Sequence, residues 1–228
     1  MNVAKQRIPF SRISWKWALI LVIVLLFLGW LFKTPEGLLG KADAVGYAVC
    51  HRIDARSFHL DGRQMPLCAR CTGMYLGAMI GLIYQAVTAH KRTGLPPWKV
   101  STVLGLLVIF FGIDGVNSYF HLFPGFRGLY EPQNWLRLLA GTGMGVGLSA
   151  ILYPAFNQSA WKDGLDLPAV PGFRSLATVL VLAVLIDLLV ISENWLFLYL
   201  LALVSAMGVV VLLTLVYTMI FLMLLRKE

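Results

Sequence analysis

Long apolar stretches alternate with shorter polar segments along the whole chain. Six of these stretches carry few charges and approach the roughly 20 apolar residues that a helix needs to cross a bilayer. They are apolar on all sides, whereas the strands of a membrane barrel alternate apolar and polar residues. The pattern therefore predicts an all-α, polytopic membrane helix bundle of about six transmembrane helices. The predicted spans are 17–32, 72–89, 100–116, 135–153, 175–192 and 195–225.

The number of spans predicts which polar segments share a side of the membrane. Both termini and the loops 90–99 and 154–174 fall on one side, which we call face A. The cysteine- and arginine-rich loop 33–71, the loop 117–134 and the turn at 193–194 fall on the other side, face B. Basic residues are more numerous on face A, and basic residues favour the cytoplasm. We therefore expect a bacterial inner (plasma) membrane protein with cytoplasmic termini and an extracytoplasmic cysteine loop.

The composition leads to the same class of protein. The chain has 228 residues, of which 59% are apolar and 13% are charged, whereas soluble domains have about 45–50% apolar and about 25% charged residues. A soluble core of this size cannot bury so much apolar surface, so we expect a single membrane domain over residues 1–228. The net charge is +8. Basic loops beside apolar spans contact lipid headgroups, so we expect membrane lipids as partners and no nucleic acid.

The candidate chemistry is concentrated in the face B loop, which contains all three cysteines of the chain. Cys68 and Cys71 form a C-x-x-C pair at the start of the second span, and this spacing lets two thiolates bind one tetrahedral metal ion. Cys50 and a histidine could supply the remaining ligands. The loop therefore predicts a metal site, with zinc as the expected ion. The candidate ligands are Cys50, His51, His59, Cys68 and Cys71, with His121 of the second face B loop as an alternative fourth ligand.

The same cysteines allow two other interpretations. Thiols at a helix N-terminus have a lowered pKa, and Cys50 could exchange with the pair through a mixed disulfide. The protein would then be a membrane thiol-disulfide oxidoreductase coupled to a quinone. Alternatively the cysteines are inert or form a structural disulfide, in a non-catalytic scaffold or transporter subunit. The sequence leaves open whether the protein is an enzyme and which oligomeric state it adopts.

Three charged residues fall inside predicted spans, and all three lie toward face B. Asp114 is near the end of the third span, Arg137 is in the first turn of the fourth, and Asp187 is near the end of the fifth. A charge near the bilayer centre costs at least about 2.5–3.5 kcal/mol, so a partner is expected. We predict that Asp114 and Arg137 face each other or a shared ligand, close to the C-x-x-C turn.

Glycine spacing predicts which helices touch. Gly73, Gly77 and Gly81 repeat every four residues in the second span, and Gly141 and Gly145 do so in the fourth. Small residues at this spacing let membrane helices approach closely. Contact between the two glycine faces would place the first turn of the fourth span level with the C-x-x-C turn.

The basic and polar residues near this turn predict a pocket for an anion. The guanidinium group binds phosphate through a planar, bidentate fork, so a small anionic ligand or a lipid phosphate is the expected occupant. The candidate ligand-binding residues are Arg56, Arg63, Arg70, Asp114, Asn134 and Arg137.

One extended motif connects the cysteine loop with two later helix ends. Its residues are Cys50-His51, Arg56-Ser57-Phe58, Gly62-Arg63-Gln64, Pro66, Cys68-Ala69-Arg70-Cys71-Thr72-Gly73, Tyr75-Leu76-Gly77, Asp114-Gly115 and Asn134-Trp135-Leu136-Arg137. This pattern resembles an uncharacterised bacterial family of multi-pass membrane proteins, domain of unknown function 2085. The resemblance covers roughly residues 45–150 and implies a membrane location without implying an activity.

Overall fold

The computed structural model describes residues 12–123, 125 and 128–225. The chain ends, to which the expected orientation refers, lie outside the described residues. Four short strands and one 3-10 turn connect the helices: β1 (His59–Leu60), β2 (Arg63–Gln64), β3 (Arg92–Gly94), β4 (Leu165–Pro168) and the turn Asp54–Arg56. The helices are α1 (Arg12–Lys33), α2 (Gly37–Val49), α3 (Ala69–Thr88), α4 (Trp98–Phe120), α5 (Asn134–Ala160), α6 (Phe173–Ile191) and α7 (Trp195–Leu225).

The structure confirms an all-α membrane bundle. Helices α3 to α7 are each long and apolar enough to cross a membrane, and α1 with α2 forms a sixth candidate span that bends by 112° at residues 34–36. Helix α1 alone has 22 residues, so it rises about 33 Å, close to the hydrocarbon thickness of about 30 Å. Every described side chain of α1 from Trp17 onward is exposed. This apolar surface suits contact with lipid.

The segment 33–71, expected as a loop, contains helix α2. Lys41 and Asp43 interrupt the apolar pattern of α2, so the segment does not resemble a span. Gly40, Ala42 and Gly46 are nevertheless buried: Pro35 covers Gly40 and Pro66 covers Gly46, and α2 also packs against α7. The helix therefore forms part of the face B surface of the bundle.

Helices α3 and α5 form the centre of the bundle. A Cβ atom added at Gly73 would overlap the carbonyl oxygen of Leu138, and one at Gly141 would overlap the carbonyl oxygen of Arg70. The backbones of the two helices therefore touch, which confirms the contact expected from the glycine spacing. This contact places the first turn of α3 beside the first turn of α5.

A buried apolar cluster packs the cysteine loop against the helices. Phe58 and Met65, which flank β1 and β2, pack on Leu76 of α3, Leu138 of α5 and Leu198 of α7. Burial of each large apolar side chain contributes about 1.5–3 kcal/mol. The loop is therefore anchored to three helices.

The two face A loops contact each other at the opposite end of the bundle. Strands β3 and β4 pair in parallel, with Arg92 opposite Leu165, and Asn157 donates a hydrogen bond of 2.9 Å to the carbonyl oxygen of Arg92. The loops 90–99 and 154–174 thus lie on one side, as the span count predicts.

Candidate functional site: a thiol cluster beside an arginine cluster

A tight hairpin brings the two ends of the cysteine loop together. Asp61 and Gly62 have φ angles of 51° and 80°, and two residues with positive φ are typical of the type I′ turn that joins two antiparallel strands. The hairpin reverses the chain between β1 and β2. As a result Cys68, at the start of α3, lies against Cys50, at the end of α2.

Cys50, Cys68 and Cys71, which we call the thiol cluster, lie together. Their Sγ atoms are all within 4.8 Å of one another, and all three are free thiols. The backbone N–H of Cys68 donates a hydrogen bond of 3.3 Å to Cys50 Sγ. In a tetrahedral zinc site with Zn–S bonds of about 2.3 Å, the sulfur atoms are about 3.8 Å apart. The thiol cluster is therefore close to the spacing that one zinc ion requires.

The thiols of the cluster affect one another's ionisation. Hydrogen bonds from the thiols of Cys68 and Cys71, together with backbone N–H groups, hold the pKa of Cys50 well below its usual range. The hydrogen bond to Cys50 raises the pKa of Cys68. Once Cys50 is a thiolate, the neighbouring thiols resist deprotonation, because like charges repel at this distance. A bound cation would remove that repulsion.

The histidines occupy three different positions. His51 Nδ1 lies 3.8 Å from Cys50 Sγ, His59 Nε2 lies 2.9 Å from Asp54 Oδ1, and His121 Nδ1 lies 2.9 Å from the carbonyl oxygen of Asn117. Among the described residues, the three cysteines are the only side chains whose ligand atoms come close enough together to hold one metal ion. Of the three histidines, His51 is thus the one with an observed contact to a thiol of the cluster.

Three arginines, Arg56, Arg70 and Arg137, meet at the face B end of α4; we call them the arginine cluster. Arg70 forms an ion pair with Asp114 and donates a hydrogen bond of 3.0 Å to Ser118 Oγ. Arg56 donates to the carbonyl oxygen of Ser118 at 2.8 Å, and Arg137 donates to Ser118 Oγ at 3.4 Å. Ser118 therefore contacts all three arginines.

Asp114 and Arg137, which were expected to face each other or a shared ligand, do not pair directly. Asp114 is fully buried and pairs with Arg70, while its second oxygen accepts a hydrogen bond of 2.8 Å from the Tyr130 hydroxyl. Arg137 instead donates to Asn134 Oδ1 at 2.7 Å. The side chain of Arg70 reaches α4 because it extends from the first turn of α3. Asp114 and Arg137 still share Ser118 as a neighbour.

Two further predicted residues hold the loop in place. The Asn134 amide donates to the carbonyl oxygens of Ala55 and Ser57 at 3.4 and 3.3 Å, which connects α5 to the turn that carries Arg56. Arg63 lies apart from the arginine cluster. It donates to Asp43 Oδ2 at 2.6 Å and so joins the hairpin to α2.

The two clusters are close enough to interact electrostatically. Arg70 lies between Cys68 and Cys71 in the chain, and its guanidinium group shares Ser118 with Arg56 and Arg137. Within the described part of the chain, Asp114 is the carboxylate that pairs with the arginine cluster. Three guanidinium groups therefore share one carboxylate, and positive charge is left over.

Ser118, Tyr130 and Asp43 are the contacts that the sequence interpretation missed. Ser118 follows Asp114 by four residues, a spacing that places both on one helix face and could have indicated it. Burial and the hydrogen bond to Asp114 raise the pKa of Tyr130 to about 12, but no pattern in the sequence points to this residue. The Asp61-Gly62 pair is a recognised signal for a hairpin, and it would have predicted that Cys50 and Cys68 approach each other.

Comparison with known proteins identifies a family. The family described as "Predicted membrane protein (DUF2085)" matches residues 50–151. An uncharacterised protein of Methanothermobacter thermautotrophicus is 37% identical over 103 residues, which are 45% of this chain and 83% of the relative. An uncharacterised protein of Methanocaldococcus jannaschii is 29% identical over 119 residues, or 52% and 70% of the two chains. No solved structure matches this chain.

The match covers the whole candidate site. Every member of the thiol cluster and of the arginine cluster, together with Asp114 and Asn134, lies within residues 50–151. The two relatives come from archaea, so the expected bacterial membrane stays a prediction. On the strength of this match and these relatives, the chain belongs to the family of membrane proteins that carry domain of unknown function 2085.

Proposed function

We propose that the protein is a metal-binding membrane protein that holds one zinc ion between Cys50, Cys68 and Cys71. The observation that supports this proposal is the approach of three Sγ atoms to within 4.8 Å of one another, although one cysteine is 18 residues from the next. Thiolates prefer zinc and other soft metal ions to hard cations such as magnesium.

A site with three protein ligands has a fourth position to fill. Catalytic zinc sites use three protein ligands and leave this position to water or substrate, whereas structural sites close it with a fourth side chain. His51 Nδ1 is 3.8 Å from Cys50 Sγ, on an exposed side chain. We propose His51 or an external ligand for this position, and we place His59, which pairs with Asp54, in a supporting role in the loop.

We also propose that the arginine cluster binds an anion beside the metal. A zinc ion with three thiolates has one net negative charge, which offsets one arginine, and Asp114 offsets another. The third guanidinium group is left for an external anion. Guanidinium groups bind phosphate through two parallel hydrogen bonds, so phosphate, either free or as a lipid headgroup, is the proposed ligand class.

The proposed site faces away from the cytoplasm. Lys91 and Arg92 of the 90–99 loop and Arg174 of the 154–174 segment lie at the end of the bundle opposite to the thiol cluster. Basic loops favour the cytoplasmic side of a membrane. At the thiol end, Arg56, Arg70 and Arg137 share Ser118 as a partner. We therefore assign these arginines to the site and do not count them as a signal for membrane orientation.

The metal proposal predicts about one zinc ion per chain in the purified protein. Replacing Cys68 with serine is expected to remove most of the zinc, because a serine hydroxyl keeps its proton at neutral pH and metal ligands must be deprotonated. Elemental analysis together with a count of alkylated thiols in the detergent-solubilised full chain measures both quantities. His59→Ala is the matched control, and it is expected to keep the zinc.

Two results would contradict the metal proposal. Protein without any metal, whose three thiols are all alkylated freely under native conditions, would leave the thiol cluster without a ligand. A disulfide that forms and is reduced as quinone is supplied and withdrawn would instead support the oxidoreductase interpretation.

The anion proposal predicts that Arg137→Lys keeps the fold and loses anion binding. Lysine retains the charge but lacks the bidentate fork. A ligand that binds only the folded protein raises its melting temperature, so inorganic phosphate should stabilise the unaltered protein and have little effect on the variant. Arg63→Lys, outside the arginine cluster, is the control and should respond normally.

Further arms of this experiment separate the sources of phosphate. Stabilisation by vesicles that contain an anionic phospholipid, without an effect of inorganic phosphate, would identify a lipid headgroup. Equal stabilisation of both variants would show that Arg137 does not bind the anion. If Arg137→Lys fails to fold, Arg56→Lys provides the same test from a half-buried position.

A further inference from the structure

Asp187 is a buried acidic residue that the metal and anion proposals do not use. It lies in α6, four residues before the end of the helix, and its exposed fraction is 1%. Its Oδ1 atom accepts a hydrogen bond of 2.9 Å from Thr142 Oγ1 of α5. Its Oδ2 atom is buried and has no hydrogen-bond partner among the described residues. Half of this carboxyl group is therefore unsatisfied in the membrane interior.

Among the residues that the structure describes, no basic side chain pairs with Asp187. Helix α6 packs against α3, α5 and α7. The titratable side chains in the face B half of those helices are Arg70, Cys71, Tyr75, Arg137 and Tyr199. Within the described residues, none of them forms an ion pair or a hydrogen bond with Asp187, and Arg70 pairs with Asp114. An ionised Asp187 would be an unpaired charge in an apolar interior, which is far more costly than a neutral carboxyl group with one unmade hydrogen bond.

A metal cation does not suit this site. Hard cations bind to about six or more oxygen ligands, whereas the described structure brings one hydroxyl group, that of Thr142, to the carboxyl group of Asp187. A proton needs no such coordination shell. The number of oxygen atoms therefore favours a proton over sodium or calcium.

We propose that Asp187 is a proton-binding site within the membrane. The carboxyl group carries its proton on Oδ2 at neutral pH, and the Thr142 hydroxyl orients the group through Oδ1. Thr142 also packs against α3, where a Cβ atom at Gly73 would lie 2.9 Å from its Oγ1 atom. Gly73 is two residues after Cys71, a rise of about 3 Å along α3, so the proton is held slightly deeper in the membrane than the thiol cluster. This proposal does not depend on the metal.

Infrared spectroscopy of the full chain in lipid tests the proposal. The unaltered protein at neutral pH should show the C=O stretching band of a protonated carboxylic acid, which shifts in heavy water and shifts again when aspartate is labelled with carbon-13 in its carboxyl group. Asp187→Asn should abolish the band, because asparagine keeps the acceptor for Thr142 but carries no acidic proton. Asp163→Asn is the control and should leave the band intact, because the Asp163 side chain is exposed to solvent and pairs with Lys91.

The opposite results would overturn the proposal. A protein without any protonated-acid band at neutral pH would show that Asp187 is ionised. A band that persists in Asp187→Asn would belong to another group. If Asp187→Asn does not fold, the unaltered protein labelled on aspartate still decides the matter: a band that does not shift with the label excludes every aspartate, including Asp187.

Discussion

Replacing Arg70 with alanine is expected to lower the free energy of unfolding by about 3–5 kcal/mol, the cost of breaking a buried ion pair by removing one partner. Asp114 is fully buried, and Arg70 is the described basic residue that pairs with it. The same guanidinium group also donates to Ser118 Oγ at 3.0 Å. After the substitution Asp114 keeps the Tyr130 hydroxyl alone, which cannot compensate a carboxylate charge.

Two further variants separate this effect from a general loss of packing. Adding Asp114→Asn to Arg70→Ala removes the unpaired charge, so the double variant should recover part of the loss. Arg63→Ala is the matched control: Arg63 also pairs with an aspartate, but its side chain is 48% exposed. Exposed pairs contribute at most about 1 kcal/mol. Unfolding in mixed detergent micelles measures all four proteins, and equal losses for Arg70→Ala and Arg63→Ala would contradict the buried ion pair.

Gly141→Ala is expected to destabilise the bundle by about 3 kcal/mol, the upper part of the usual range for overpacking a core. An added Cβ atom would overlap the carbonyl oxygen of Arg70 and lie 3.0 Å from Met74 N. These are backbone atoms of α3, so neither can rotate away and the two helices must separate. Because Arg70 is one of the displaced residues, the substitution should also weaken zinc and phosphate binding.

Gly112→Ala provides the control for this prediction. No atom lies within 4 Å of a Cβ atom added at Gly112, and alanine is favoured over glycine in a helix by up to about 1 kcal/mol. The control should therefore be as stable as the unaltered protein or slightly more so. Unfolding in mixed micelles compares the two variants, and a tolerated alanine at position 141 would mean that α3 and α5 do not touch there.

The spans were predictable because twenty apolar residues in a row leave few alternatives to lipid. The predicted span 135–153 lies within α5 (Asn134–Ala160), and the predicted span 195–225 coincides with α7 (Trp195–Leu225). Helix α2 was not predictable in the same way. Lys41 and Asp43 interrupt its apolar pattern although both are half-buried, and Leu38 and Tyr47 are exposed. The burial of this helix therefore follows from tertiary contacts and not from a local apolar pattern.

The membrane level of the site residues was also predictable, but their pairing was not. Counting spans places Asp114 and the three arginines at one face, because every crossing reverses the side. The choice of Arg70 over Arg137 as the partner of Asp114 depends on how far each helix is rotated about its axis. The glycine spacing predicted that α3 and α5 touch, but it did not predict the rotation of each helix within that contact, which depends on the packing of all the neighbouring side chains.

The most direct test of the central claim is X-ray absorption at the zinc edge, recorded on the purified full chain. A zinc ion held by the thiol cluster predicts about three sulfur neighbours at about 2.3 Å, with the fourth neighbour a nitrogen or oxygen at about 2.0–2.2 Å. Cys50→Ser should remove one sulfur neighbour or the whole signal. A spectrum with nitrogen and oxygen neighbours only, or protein that retains no zinc, would contradict a metal centre built from Cys50, Cys68 and Cys71.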